Sequence, residues 1–236
     1  MNNRIPLSSA GFKEGATLVF DKPYGWTSFQ LVAKVRNLIC RKFGLKKIKV
    51  GHAGTLDPLA TGILIICTGK NTKIIHQYQE MEKEYVAGIM FCATTPSSDQ
   101  ETLVDREYPW QHITKPELEK ALKHFTGEIE QIPHVFSAKK KNGIRSYEKA
   151  RKGEKSELFS VKVCIKSIEI INFALPLVTL KIVCGKGTYI RSIARDLGAY
   201  LNSGAYLKKL MRSRTGHYRI ENALTIEEFE KTLQQV

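Results

Sequence analysis

The sequence lacks the features that would tie it to a membrane, a metal or a nucleotide. Its longest apolar run, Gly62 to Cys67, is far short of the roughly 18 residues that a membrane span requires. The first residues, Met-Asn-Asn-Arg-Ile-Pro, hold no apolar signal core, so a cytoplasmic protein is expected. There is no CxxC. The five cysteines (Cys40, Cys67, Cys92, Cys164 and Cys184) are odd in number and widely spaced. They read as reduced, mostly buried thiols. The six histidines contain no HxxxH pair, so neither a structural zinc site nor a metalloprotease is expected. Gly69-Lys70 and Gly185-Lys186 are not in P-loop register, and no GxGxxG follows a strand. A GxSxG elbow and the aromatic signature of an RNA-recognition motif are missing too.

Acidic residues are also in short supply. Lys and Arg number 37 and Asp and Glu 23, a formal charge of +14. An excess of that size favours a polyanionic partner, nucleic acid before membrane surface. Lys34 to Lys49 holds seven Lys/Arg and no acid. Lys139 to Lys155 holds eight against Glu148 and Glu154, and Lys186 to Arg219 holds eight against Asp196 alone. A single such run is usually a solvated face. Three of them, punctuated by Phe43, Tyr147, Tyr189, Tyr206 and Tyr218, suit a basic surface with rings on which unstacked RNA bases can lie.

What is present is enough for a core. The chain has 236 residues, 42% of them hydrophobic, which allows one large domain or two small ones. Leu18 to Phe20 reads as a short strand, followed by a turn through Asp21 to Gly25. Ser28 opens a helix with Leu31, Val32, Val35, Leu38 and Ile39 on one face. Gly51 to Gly62 reads as a loop, and Ile63 to Cys67 as a buried strand. Further strands are expected at Glu84 to Phe91, Phe159 to Phe173 and Leu177 to Cys184. Thr94 to Gln100 reads as a polar loop. Thr114 with Glu117, and Thr225 with Glu228, are capping boxes that start helices. Another helix is expected from about Tyr189 to Leu201. Strands and helices mix without βαβ alternation, so the fold class is α+β.

The stretch with chemical promise is Gly51-His-Ala-Gly-Thr-Leu-Asp-Pro-Leu-Ala-Thr-Gly-Ile-Leu64. One acid, Asp57, stands among small and apolar neighbours. Asp before Pro is also a common helix start, so a capping role for Asp57 is the plain alternative. His52 alone could be a hydrogen-bonded core histidine, and Tyr85 a packed strand aromatic.

This stretch resembles the signature of the TruB family of pseudouridine synthases. Other blocks agree in the family's order: Asp21-Lys-Pro-x-Gly-x-Thr-Ser, Lys83-Glu-Tyr85, Gln131-Ile-Pro133, Phe136-Ser-Ala-Lys139, Gly185-Lys-Gly-Thr-Tyr-Ile-Arg191-Ser, Asp196-Leu-Gly198, and Leu210-Met-Arg212-Ser-Arg-Thr-Gly216. The resemblance runs from about residue 17 to 232. It implies a pseudouridine synthase fold: a mixed, mostly antiparallel sheet with flanking helices and a basic RNA-binding cleft. It implies isomerisation of uridine at position 55 in the T loop of tRNA, with no cofactor, no metal, no membrane and no obligatory protein partner. A non-catalytic tRNA-binding or tRNA-folding protein on the same fold is the alternative.

Residue by residue, the resemblance makes Asp57 the catalytic aspartate, either attacking sugar or base or removing a sugar proton. His52 holds the opened loop RNA, Tyr85 stacks on the target base, and Arg191 pairs with the catalytic aspartate. Leu210 is an apolar wall of the base pocket, and Lys22 is a motif lysine near it. Lys139, Lys186, Tyr189, Arg212 and Arg214 are candidate RNA contacts. Two departures stand out. The family's Asp-rich loop is Thr94-Thr-Pro-Ser-Ser-Asp99 here. An ungapped alignment sets Ser98 at the usual acid, and a one-residue shift would offer Asp99. The residues after the matched region are also too few for the PUA domain of many relatives, so a single catalytic domain over 1–236 is expected.

Overall fold

The computed structural model describes residues 5–133, 140–141, 144–145 and 160–235. Lys139 and the segment around Phe136 lie outside the described residues. The chain forms two compact units, Met1–Tyr85 with Leu210–Val236, and Val86–Lys209.

The first unit opens with helix α1 (Ser9–Glu14), strand β1 (Thr17–Lys22) and helix α2 (Ser28–Lys42). Strands β2 (Val50–Ala53) and β3 (Ala60–Thr68) follow, then a 3-10 turn (Gly69–Ile74) and helix α3 (Ile75–Glu80). Strand β4 (Lys83–Phe91) carries the chain into the second unit, and β12 (Ala205–Thr215) carries it back. β13 (Tyr218–Arg219) and a helix at Ile226–Gln234 close the unit. β3 is its centre. β1 and β2 pair with it antiparallel and β12 pairs with it parallel, Leu210 opposite Ala60 and Arg212 opposite Gly62. Both faces of β3 are buried. Leu64 and Ile66 meet α1, α2 and the last helix through Phe12, Leu31, Val35 and Phe229, while Ile63, Ile65 and Cys67 cover the other face with Val19 and Ala53.

The second unit holds β5 (Ala93–Thr94), β6 (Arg106–Glu107), α4 (Lys115–His124) and β7 (Gly127–Gln131). The hairpin β8 (Lys140–Lys141) with β9 (Ile144–Arg145) follows, then β10 (Val161–Ala174), β11 (Leu177–Cys184) and helix α5 (Ile190–Tyr200). The final helix, Ile226–Gln234, is accordingly α6. β10 lies between β7 and β11, antiparallel to both. The class is α+β with mostly antiparallel strands. No helix among the described residues is long and apolar enough to cross a membrane.

The sequence pattern locates most of these elements. The α2 stripe Leu31, Val32, Val35, Leu38 and Ile39 is buried as its period requires. The cap is Thr27 rather than Ser28, with Gln30 completing the box. The boxes at Thr114/Glu117 and Thr225/Glu228 form as read. Gly51 to Gly62 is not all loop: it holds most of β2 and the start of β3. The cysteines are less buried than expected. Cys67 and Cys184 are enclosed, Cys40 and Cys92 partly so, and Cys164 is exposed, because β10 alternates Val163 inward, Cys164 outward and Ile165 inward.

Candidate active site

The loop between β2 and β3 carries Asp57. No helix follows it. The Ala60 amide donates to the Asp57 carbonyl at 3.1 Å, closing a turn that feeds directly into β3. The capping alternative is therefore excluded by what comes next in the chain.

Three side chains from elsewhere in the unit fix this loop. Ser28, buried at the start of α2, accepts from the Leu56 amide at 2.9 Å and donates to the Leu56 carbonyl at 3.0 Å. Lys22, with 0% of its surface exposed, donates to the carbonyls of Pro23 (2.8 Å), Trp26 (2.6 Å) and Pro58 (3.3 Å). Arg212, 2% exposed, donates from Nε to the Ile63 carbonyl at 2.7 Å and from Nη2 to the Gly54 carbonyl at 2.9 Å. Asp21 completes the frame by accepting from the Gly62 amide at 3.0 Å. Gly62 is required there: its φ is +98°, and a Cβ would run into the backbone of Arg212 on the neighbouring strand.

The electrostatics follow from burial. The Lys22 ammonium is brought down to about 8, mainly by burial and further by the Arg212 charge, with Asp57 and Asp21 pulling the other way. His52, on β2, is pushed below its usual value by burial and then by Arg212. It is therefore a neutral imidazole at neutral pH. Its Nδ1 is buried with no hydrogen-bond partner among the described residues. A buried polar atom with nothing to bond is costly in the free protein, at about 1–3 kcal/mol.

The first unit thus brings Lys22, His52, Asp57 and Arg212 around one loop, with Leu210 registered opposite Ala60 at the loop's exit. Tyr85 is buried on β4. Arg212 and Arg214 both use their guanidinium groups internally. Arg214 pairs with Glu82 at 2.7 Å and Glu84 at 3.6 Å.

Arg191 lies in the second unit, in the first turn of α5, and is 4% exposed. Its Nη1 meets Asp99 Oδ2 at 3.1 Å. Asp99, not Ser98, brings the carboxylate from the Thr94 to Gln100 loop. Ser98 adopts a left-handed φ of +57°. The Thr95 hydroxyl donates to the Asp99 carbonyl at 2.6 Å, and the Glu101 amide donates to Asp99 Oδ1 at 2.9 Å. The start of α5 is held by Gln131, which donates to the Tyr189 carbonyl at 3.0 Å and accepts from the Tyr189 amide at 2.8 Å. Lys186 is exposed on the preceding loop. The motif reading did not single out Ser28, Gln131 or Asp99 for these roles, although Thr27-Ser28 and Gln131-Ile-Pro133 are among the matched blocks.

A family model described as TruB family pseudouridylate synthase (N terminal domain) matches residues 41–190. The chain belongs to the TruB family. It is 55% identical over 224 residues to tRNA pseudouridine synthase B of Phocaeicola vulgatus, covering 95% of each chain. It is 50% identical to the protein of the same name from Flavobacterium johnsoniae, covering 94% of this TruB chain and 98% of that one. Among solved structures it superimposes on a chain of a Cbf5-Nop10-Gar1 complex with a TM-score of 0.71 at 25% identity, over 96% of its own length and 56% of that chain.

Proposed function

We propose that the chain isomerises uridine to pseudouridine at position 55 in the T loop of tRNA, with Asp57 as the catalytic carboxylate. The observation that carries this reading is the Asp57 turn, held from three sides by Ser28, Lys22 and Arg212. A group that must meet a sugar carbon or proton within a few tenths of an ångström needs such pre-organisation. A loop that only bound RNA would have no need to fix one acid this firmly.

The target base must leave its stack, at a cost of a few kcal/mol. His52, neutral and lacking a partner for Nδ1, is suited to hydrogen-bonding the opened loop. Tyr85 offers a ring for stacking, and Leu210 an apolar wall. Asp57 then acts either by attack on sugar or base or by removal of a sugar proton. On both routes the N1–C1′ bond breaks, the uracil turns, and a C5–C1′ bond forms. The proton on C5 departs and N1 regains one, so the reaction needs no oxidant and no net hydrolysis. Arg191 and its Asp99 partner serve as support for the site, and Lys186 and Tyr189 as RNA contacts beside α5. Arg212 acts by holding Gly54 and Ile63 rather than by reaching phosphate.

The test is tritium release from an unmodified tRNA transcript labelled at uridine C5, with the modified position mapped. Release at position 55 by the protein alone supports the proposal. Tight binding without release favours the non-catalytic tRNA-folding reading.

A further inference from the structure

The far end of β3 from the Asp57 turn carries a second concentration of charge. There a cavity of about 420 Å³ is lined by Lys13, Lys47, Lys49, Lys70 and Lys73. All five lysines are exposed. Glu14 engages Lys70 at 2.8 Å. Lys13, Lys47, Lys49 and Lys73 have no acidic partner among the described residues. The sequence explains the imbalance, since no Asp or Glu occurs from Lys22 to Leu56.

The lysines come from three segments, and buried groups clamp these segments together. The Thr68 hydroxyl donates to the Phe12 carbonyl at 2.8 Å and accepts from the Ala16 amide at 3.0 Å. The Gly69 amide donates to the Lys49 carbonyl at 2.9 Å. Gly69 has a φ of +51°, and a Cβ there would collide with the Lys13 carbonyl. The end of α1, the approach to β2 and the 3-10 turn are thus locked around one concavity. Like charges held in fixed positions repel one another and do nothing for the fold. They are explained by a polyanion that fills the concavity.

We propose that this lysine-lined cavity is a distal phosphate site that grips the backbone of the substrate's helical arm, well away from the flipped base. The proposal rests on the tRNA reading above. Nine residue steps separate Ala60 from Gly69. At about 3.3 Å per strand residue, that sets the two ends roughly 30 Å apart. A five-base-pair stem is only about 17 Å long at ~3.4 Å per step. An isolated T-arm hairpin is therefore too short to reach from the Asp57 turn to the lysines, whereas a whole tRNA is long enough.

The experiment compares the wild type with the triple variant Lys13→Ala/Lys47→Ala/Lys73→Ala, and with its Lys→Glu counterpart, on whole tRNA and on a T-arm hairpin. Filter binding against salt and tritium release are both read. The expected result on whole tRNA is a roughly tenfold or greater weakening near 0.1 M salt. The log–log salt slope should be shallower by about 2, since each lost phosphate contact removes ~0.7–0.9. On the hairpin, kcat/KM should stay within about twofold. Equal loss on both RNAs, no loss on whole tRNA, or loss confined to vesicles of anionic lipid would each overturn the distal site. Because binding is read separately from turnover, failure of the wild type to release tritium would count against the catalytic reading without obscuring the distal one.

Discussion

The two ends of β3 use positive charge in opposite ways. At the Asp57 end, Lys22 and Arg212 are enclosed and face backbone carbonyls. At the Gly69 end, five lysines face solvent around a cavity, with Glu14 beside one of them. A basic sequence run therefore does not count RNA contacts. A buried cation organises the protein's own backbone, and an exposed, unneutralised one is free for phosphate. The charge of +14 is a sum over both uses.

The largest way to break this contrast is to remove a cation from the enclosed end. Arg212→Ala leaves the carbonyls of Gly54 and Ile63 without their charged donors. We expect a loss of about 3–5 kcal/mol in urea unfolding, two charge-assisted bonds at ~1.5–3 kcal/mol each. Ser28→Ala strands the Leu56 amide and carbonyl in the same region, and about 2 kcal/mol is expected from the same measurement.

Lys22 sharpens the contrast through pH. Its folded value of about 8 lies below the ordinary ~10.4 of the unfolded chain. Between these two values the unfolded state binds more protons, so stability should rise with pH across that window. Burial of the charged form is a penalty that is full below pH 8 and is relieved as Lys22 deprotonates. Relative to Lys22→Met, the wild type should gain at up to ~1.4 kcal/mol per pH unit there. A flat difference would mean that the three carbonyls keep Lys22 protonated. The smallest expected effect is at the open end. The triple Lys13, Lys47 and Lys73 alanine variant should change unfolding free energy by no more than about 0.5 kcal/mol, as exposed substitutions usually do.

Much of this molecule is legible in its sequence, and the remainder is hidden for identifiable reasons. The α2 stripe and the two capping boxes are local patterns with a fixed period or spacing, and they locate three helices. The motif around Asp57 locates the candidate carboxylate. Local pattern does not say which way a strand side chain points once long-range pairing is involved. Arg212 reads as one more surface charge until β12 pairs in parallel with β3 and turns its guanidinium toward Gly54. Cys164 sits in an apolar run but on the outward face of β10. The choice between Ser98 and Asp99 depends on a left-handed residue and a buried partner on α5, neither of which spacing reveals. The lysine cavity is likewise assembled from segments far apart in sequence.

The central claim is that the Asp57 turn is a catalytic centre and not only part of an RNA-binding surface. The direct measurement is Asp57→Asn assayed for tritium release from C5-labelled tRNA, with tRNA affinity measured on the same preparation. Loss of a positioned acid–base or nucleophilic group predicts a fall of at least about 10²–10⁴-fold in the single-turnover rate, with the dissociation constant for tRNA within about twofold of wild type. Release at an undiminished rate by the asparagine variant would contradict the account.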